Sequence, residues 1–327
     1  MSEIEARNPR AEATDLLPPG HEARVLEPSP PASHDPEWFA DDPTDPGEAK
    51  GKLVTPIPGE GILWSDVAKD DPALRRYVAK NWLDGSRKLS PLPEGFDKTR
   101  DSLHQLAFFA IAPVRHAANG KLGLRYTRNG FGTPFFGEDE QVRVESGMLV
   151  HQQDHHVDSI VPKTLAEACD FLDISYREVW FEDFHDPLDP IGPDAVLEID
   201  PDSARVIGDW FGFATLALER SRRIPGAADV SRVQLWPEHF DPAFEMGSYE
   251  KGQRASYGAS PGDDAHPEPY LYVGSWSEVD RNDPFWNDST FNGASMSYSE
   301  ILDSEDHVQT AQFFFRRGYE RLTGKAA

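Results

Sequence analysis

The residues best suited to chemistry in this chain are concentrated in Val233-Gln-Leu-Trp-Pro-Glu-His-Phe-Asp241, followed by Ser260-Pro-Gly-Asp-Asp264 and Glu268-Pro-Tyr-Leu-Tyr272. An indole, an imidazole, several carboxyls and two phenols lie between turn residues, which is the make-up of a polar pocket rather than of a dry core. If Glu238 to Asp241 continues an extended strand, alternation sets His239 and Asp241 on one face. An imidazole beside a carboxylate can take part in holding a divalent metal, or the carboxylate can orient the ring as a base. The plainer reading is a satisfied histidine at a strand end, since two ligands do not complete a metal site. Ser260-Pro-Gly-Asp has the composition of a type II turn, with Asp263 at its exit. The strand after it sets Glu268, Tyr270 and Tyr272 on one face, as suits a sheet face opening into a pocket.

Three other segments carry reactive side chains. In Leu122-Gly-Leu-Arg-Tyr-Thr-Arg-Asn-Gly-Phe-Gly-Thr-Pro134 a strand bearing Arg125 runs into a glycine-bearing loop that ends at Thr133, whose backbone amides, with Arg115, Arg125 or Arg128 nearby, can bind a carboxylate or phosphate. The segment lacks both nucleotide-binding fingerprints, so its glycines can equally do no more than shape a turn. His151-Gln-Gln-Asp-His-His156 puts His151 and His155 on one face in either a strand or a helix, but a solvated loop is the commoner outcome for such a polar run. Cys169 is the single cysteine, which excludes an intramolecular disulfide. It sits in a helical pattern without a His/Asn partner motif and reads as a small buried apolar residue.

The elements that position these groups follow from periodicity. Helices are expected over 71–82, where Asp71 caps and Pro72 opens, and over 98–117, around Cys169, over 201–218 and over 304–322. Strands are expected over 121–127, 231–235, 254–259 and 270–276, with a hairpin over 141–151 turning at Ser146-Gly147. Helix followed by short strands, twice over, indicates an α+β protein with two antiparallel-sheet halves and packed helices. The division expected is an acidic Pro-rich tail over residues 1–52, an N-terminal half over 53–182, a Pro/Asp-rich connector over 183–200 and a C-terminal half over 201–327. The tail cannot bury enough apolar surface to order itself, and its Trp38-Phe39 pair is the one apolar knot by which it can recruit a protein partner.

The whole chain has 327 residues and carries 57 acidic against 32 basic side chains, a formal charge of −25. That balance argues against a phosphate-tracking surface, hence against nucleic acid, and against anionic membranes; it favours cationic or neutral partners. With neither a secretory leader nor a membrane span in its pattern, the chain is expected to be cytoplasmic.

Ser102-Leu-His104 at a helix start, the Leu122–Pro134 strand and loop, Leu235-Trp-Pro-Glu-His-Phe-Asp241 and Glu268-Pro-Tyr-Leu-Tyr272 together resemble a family of uncharacterised bacterial proteins of actinobacterial type. The likeness covers about residues 98–276. Its matching positions are His104, Arg125, Thr133, Trp236, Phe240, Asp241 and Tyr270, and it implies an architecture without an activity. Two functions fit the residues. In the first, a small-molecule ligand sits in a polar aromatic-lined pocket, with Arg125 anchoring its anionic group, Trp236 and Tyr270 stacked on it, Asp241 and Glu268 hydrogen-bonded to it, and Thr133 and Tyr272 completing the ligand-binding set. In the second, a metal-assisted hydrolase, His239, Asp241 and Asp263 hold a divalent metal and Glu268 is the general base, with His239 catalytic beside it. Recruitment of a partner through the acidic tail is the third.

Overall fold

The computed structural model describes residues 89–324 except 128–129, 135, 137–139, 154–155 and 182–187, together with the short paired strands β1 (Lys52–Leu53) and β2 (Ile62–Leu63). The expected helix over 71–82 and all of the expected tail but Lys52 lie outside the described residues. The fold is α+β, with two antiparallel five-stranded sheets and packed helices. The first sheet is a meander of β3 (Arg125–Thr127), β4 (Gly130–Gly132), β5 (Glu140–Glu145), β6 (Met148–Gln153) and β7 (His156–Ile160). The second is a meander of β8 (Gln234–Trp236), β9 (Asp241–Met246), β10 (Ala255–Ser260), β11 (Tyr270–Ser275) and β12 (Gly293–Ser297). Their edges meet where Leu124, just before β3, exchanges two backbone hydrogen bonds with Leu235 of β8, at 2.8 and 2.9 Å.

Local chemistry explains the main elements. At the β5–β6 hairpin, Ser146 and Gly147 have φ of 51° and 84°, the two positive values that match a two-residue turn to the twist of its strands. The helix expected over 98–117 is observed as α1 (Phe96–Leu106), a π-helical turn (Ala107–Ile111) and α2 (Ala112–Asn119). Pro113 accounts for the π turn: it has no N–H to give and its ring crowds the carbonyl four residues back, that of Phe109. The Ala112 N–H reaches back to Ala107 instead, and the Phe109 carbonyl accepts from the Cys169 thiol at 3.8 Å.

A central helix, α4 (Pro201–Ser221), is capped by Asp200, whose side chain accepts from the Ser203 N–H at 2.8 Å. It buries Trp210, Phe211 and Phe213 against β3 and β4 of one sheet and β9 and β10 of the other. The remaining helices are α3 (Leu165–Phe171), α5 (Tyr298–Leu302) and α6 (His307–Thr323). A single buried cluster runs from Leu103 through Phe131, Trp210 and Phe240 to Phe315, so one core serves both sheets.

The second sheet has two unlike faces. Tyr257, Ala259, Leu271 and Val273 are fully buried on the side of α4 and α6. On the opposite face the register aligns Glu245 with Ser256 and Gly274, Ala243 with Gly258 and Tyr272, and Ser260 with Tyr270. That polar, aromatic face is the floor of a cleft.

Candidate functional site

The cleft has a volume of about 1170 Å³ and is open to solvent. Its floor is the outer face of β8–β11, α1 contributes Arg100, Asp101, His104 and Gln105 to one wall, and the segments 188–191 and 262–265 with Phe291 supply the rest. Gln105 fixes the 188–191 wall, donating to the Asp189 carbonyl at 2.8 Å and accepting from the Ile191 N–H at 3.4 Å. Gly258 shapes the floor. A Cβ there would lie 2.3 Å from the Tyr272 ring and hydroxyl, so the ring can cross β10 only because that position carries no side chain. Crossing it, the Tyr272 phenol donates a hydrogen bond to Asp241 Oδ2 on β9.

Between β8 and β9 the chain does not continue as the extended strand expected. Trp236 pairs with Asp241 and the four residues between them form a turn, closed by the Phe240 N–H on the Trp236 carbonyl at 2.7 Å. Phe240 sits at φ 54°, in the left-handed region, which costs a non-glycine residue about 1–2 kcal/mol. Its ring is buried, stacked on His104 at 5.2 Å and edge-on to Phe131 and Phe211. Burial of a Phe side chain contributes about 1.5–3 kcal/mol, enough to offset the backbone cost. His104 Nε2 lies 3.0 and 3.1 Å from the Pro237 and Glu238 carbonyls; carbonyls only accept, so this nitrogen carries the hydrogen. Burial brings the imidazole down to about 4, against the pull of those two hydrogen bonds. A neutral histidine on α1 thus pins the turn that presents Glu238 and His239.

The turn leaves two acid groups incompletely satisfied. Asp241 is 3% exposed, and among the described residues its Oδ1 has no hydrogen-bond partner. The same holds for Glu238 Oε2. Burial pushes both carboxyls up; at Glu238 a hydrogen bond from its own N–H and the His239 charge oppose this while the Asp241 charge adds to it, and at Asp241 the His239 charge, the Tyr272 phenol and its own N–H oppose it. A buried carboxyl oxygen left unpaired costs about 1–3 kcal/mol, so each is a place where a donor can be received.

Opposite the turn, Asp263 organises the other wall. Its Oδ1 accepts from the N–H groups of Ala265 and His266, both at 2.8 Å, and its Oδ2 accepts from the Tyr270 hydroxyl at 2.7 Å. His266 stacks on Tyr270 at 4.2 Å, and its Nε2 lies 2.9 Å from Asp288 Oδ2. Burial would raise Asp288, but hydrogen bonds from Ser295, Thr290 and His266 outweigh it and hold the carboxyl at about 2. Burial pushes the Tyr270 phenol up, as it does that of Tyr272, so both rings act as neutral donors. Arg100 crosses between the walls, donating to the Pro267 carbonyl at 3.3 Å and pairing with Asp101 at 2.7 Å.

Of the residues singled out from the sequence, Trp236, His239, Asp241, Asp263, Tyr270 and Tyr272 line this one cleft. Three do not. Arg125 sits on β3 of the first sheet, where burial lowers it to about 10 against the charge of Glu219. Thr133 is fully buried and its hydroxyl accepts from the Val142 N–H at 3.1 Å, a structural bond. Glu268 lies before β11, which starts at Tyr270, and its carboxylate accepts from Ser299 at 2.7 Å instead of facing Tyr270 and Tyr272. The metal set is corrected as well: among the described residues no three of His, Cys, Asp and Glu come together as metal ligands. The oxygens of Asp263 accept from two N–H groups and a phenol, and one of Asp241 from a phenol. His151 is bonded to Glu140 at 2.8 Å, and His155 lies outside the described residues. Cys169 is buried, its thiol raised to about 11 by burial and the Asp170 charge. Sequence reasoning missed Arg100, which reaches the distant Pro267 carbonyl, and the pair His266 and Asp288, 22 residues apart.

Chemically, the arrangement offers two things: unpaired carboxyl oxygens beside aromatic rings, which can receive a hydrogen-bond donor, and raised carboxyls, which can hold or pass a proton. No family model, curated protein or solved structure matches this chain, so these residues alone carry the reading.

Proposed function

We propose that this protein binds a small organic molecule in the cleft over the second sheet. The observation that carries the reading is the buried, unpartnered Oδ1 of Asp241 on a floor shared with Trp236, Tyr270 and Tyr272. A cleft of this volume is on the scale of small-ligand sites, which combine apolar and aromatic lining with a few placed polar groups. The rings supply flat contact area, and the tyrosine hydroxyls are held by Asp241 and Asp263, so the floor is ordered before a ligand arrives.

A panel of aromatic and polar fragments of differing charge, followed by ligand-observed magnetic resonance, tests the reading. At least one fragment should bind saturably, and Trp236→Ala should weaken it by about tenfold, the effect of losing one aromatic platform. Saturable binding that is indifferent to Trp236→Ala and Tyr272→Phe, or no saturable binding at all, overturns it.

A further inference from the structure

We infer that the ligand of this cleft is a protonated amine attached to an apolar or aromatic body, its ammonium group seated on Asp241 and Glu238. The inference rests on the reading of the cleft as a small-molecule site and adds the chemical class.

Three independent observations carry it. The first is the pair of unsatisfied acceptors. Asp241 is buried, lines the cleft, and has one oxygen without a donor although its other oxygen is hydrogen-bonded to Tyr272. Glu238, on the turn that leads into β9 and close enough for the Asp241 charge to act on it, has a second such oxygen. Both groups are acceptors when ionised, so what they lack is a donor, and an ammonium supplies three.

The second is the sign of the cleft. Its lining carries Asp101, Asp189, Asp264 and Asp263 besides these two, while among the described residues Arg100 is the one Lys or Arg side chain on it and is already paired with Asp101, and His239 is the nearest basic group to the two carboxyls. Glu245, at the far end, is paired with Arg254 at 2.5 Å. An anionic ligand would meet this field unfavourably, whereas a cation is drawn in, in keeping with the charge of −25 on the whole chain. The third is the placement of π faces. Tyr272 donates its hydroxyl to Asp241, and Trp236 is the strand partner of Asp241, so both rings lie beside the carboxyl that would hold the charge. An aromatic face next to an ammonium adds attraction, and the same rings accept the apolar body of the ligand.

A bare metal ion fits less well, because no three potential ligands converge among the described residues. An ammonium needs no such convergence; two acceptors and a π face suffice.

The experiment compares three probes of one shape on the full chain by calorimetry: phenethylamine, phenethyl alcohol and phenylpropionate. The amine should bind about tenfold or more tighter than the alcohol, the scale of a charged hydrogen bond, and the phenylpropionate weakest. Asp241→Asn and Glu238→Gln, each with an unchanged circular dichroism spectrum, should each bring the amine down toward the alcohol; Glu238 is on the turn and its change leaves the core untouched. Equal affinity for amine and alcohol, or a preference for the amine that survives both substitutions, overturns the assignment. If the alcohol or the phenylpropionate binds better than the amine and Trp236→Ala abolishes that binding, the amine assignment falls while the cleft stands as a ligand site. If none of the three binds while another fragment of the wider panel does, the amine assignment falls and the cleft stands; if no fragment binds either, both fall.

Discussion

At the scale of single residues, the site depends on an absence and on a neutral ring. Gly258 leaves the space through which Tyr272 reaches Asp241. Gly258→Ala should therefore displace the phenol and strip Asp241 of the hydrogen bond that lowers its pKa. The carboxyl should titrate at still higher pH, followed by side-chain carboxyl resonances, while the sheet itself stays folded because a tyrosine tip can swing into the open cleft. His104 sets a different dependence. The unfolded chain takes up a proton near pH 6.5, which the native imidazole refuses until about pH 4, so stability falls as pH drops through that window and levels off below it. The loss is at most about 3.5 kcal/mol, at about 1.4 kcal/mol per unit. Glu238 and Asp241 act with the opposite sign, because carboxyls raised in the native state bind protons there first and so favour folding as acid is added. Urea titrations of wild type and His104→Gln across the window separate the two: the variant should lose the descending part contributed by the imidazole and keep the rest.

At the scale of elements, the turn joining β8 to β9 determines where the acid groups point, and its strained residue yields an unusual order of stabilities. Phe240→Ala should cost about 3–5 kcal/mol, as for other buried phenylalanines. At an ordinary buried position glycine would be worse still. Here the left-handed backbone of Phe240 reverses the order, and Phe240→Gly should be more stable than Phe240→Ala by about 1 kcal/mol, measured by denaturant midpoint. This turn also marks the limit of what the sequence could reveal. Strands β10 and β11 and the β5–β6 hairpin were legible because one face of each is buried, or because Ser146-Gly147 signals its turn. Strand β9 carries Pro242, and β12 is a run of small residues, so neither shows alternation. Nothing in Glu-His-Phe-Asp announces a phenylalanine in the left-handed region, and the extended reading followed from that. The expectation for Glu268 missed for a related reason: it began the strand two residues before Tyr270, among the prolines at 267 and 269. His104 and Glu238 are separated by 134 residues, and His266 and Asp288 by 22, and spacing along a chain carries no record of such meetings.

At the scale of the whole molecule, α4 makes two sheets into one body. It is buried against β3 and β4 on one side and β9 and β10 on the other, and Trp210 near its middle is fully enclosed, 5.6 Å from the Tyr298 ring and 5.4 Å from Phe213. Backbone bonds between Leu124 and Leu235 tie the sheet edges as well. Chains longer than about 150 residues often unfold in stages, yet no sheet here can leave without exposing the shared helix. The described body should therefore melt in one transition, with near- and far-ultraviolet dichroism coincident and the calorimetric enthalpy equal to the van't Hoff value. Trp210→Ala, costing about 3–5 kcal/mol, should lower that single transition without splitting it. An amine bound in the cleft should raise it for both sheets alike, since a ligand that binds only the native state stabilises everything that unfolds with its site. A variant whose first sheet melts while the cleft still binds ligand would show that α4 holds the two sheets less tightly than its burial implies, and that the cleft is supported by the second sheet and α1 alone.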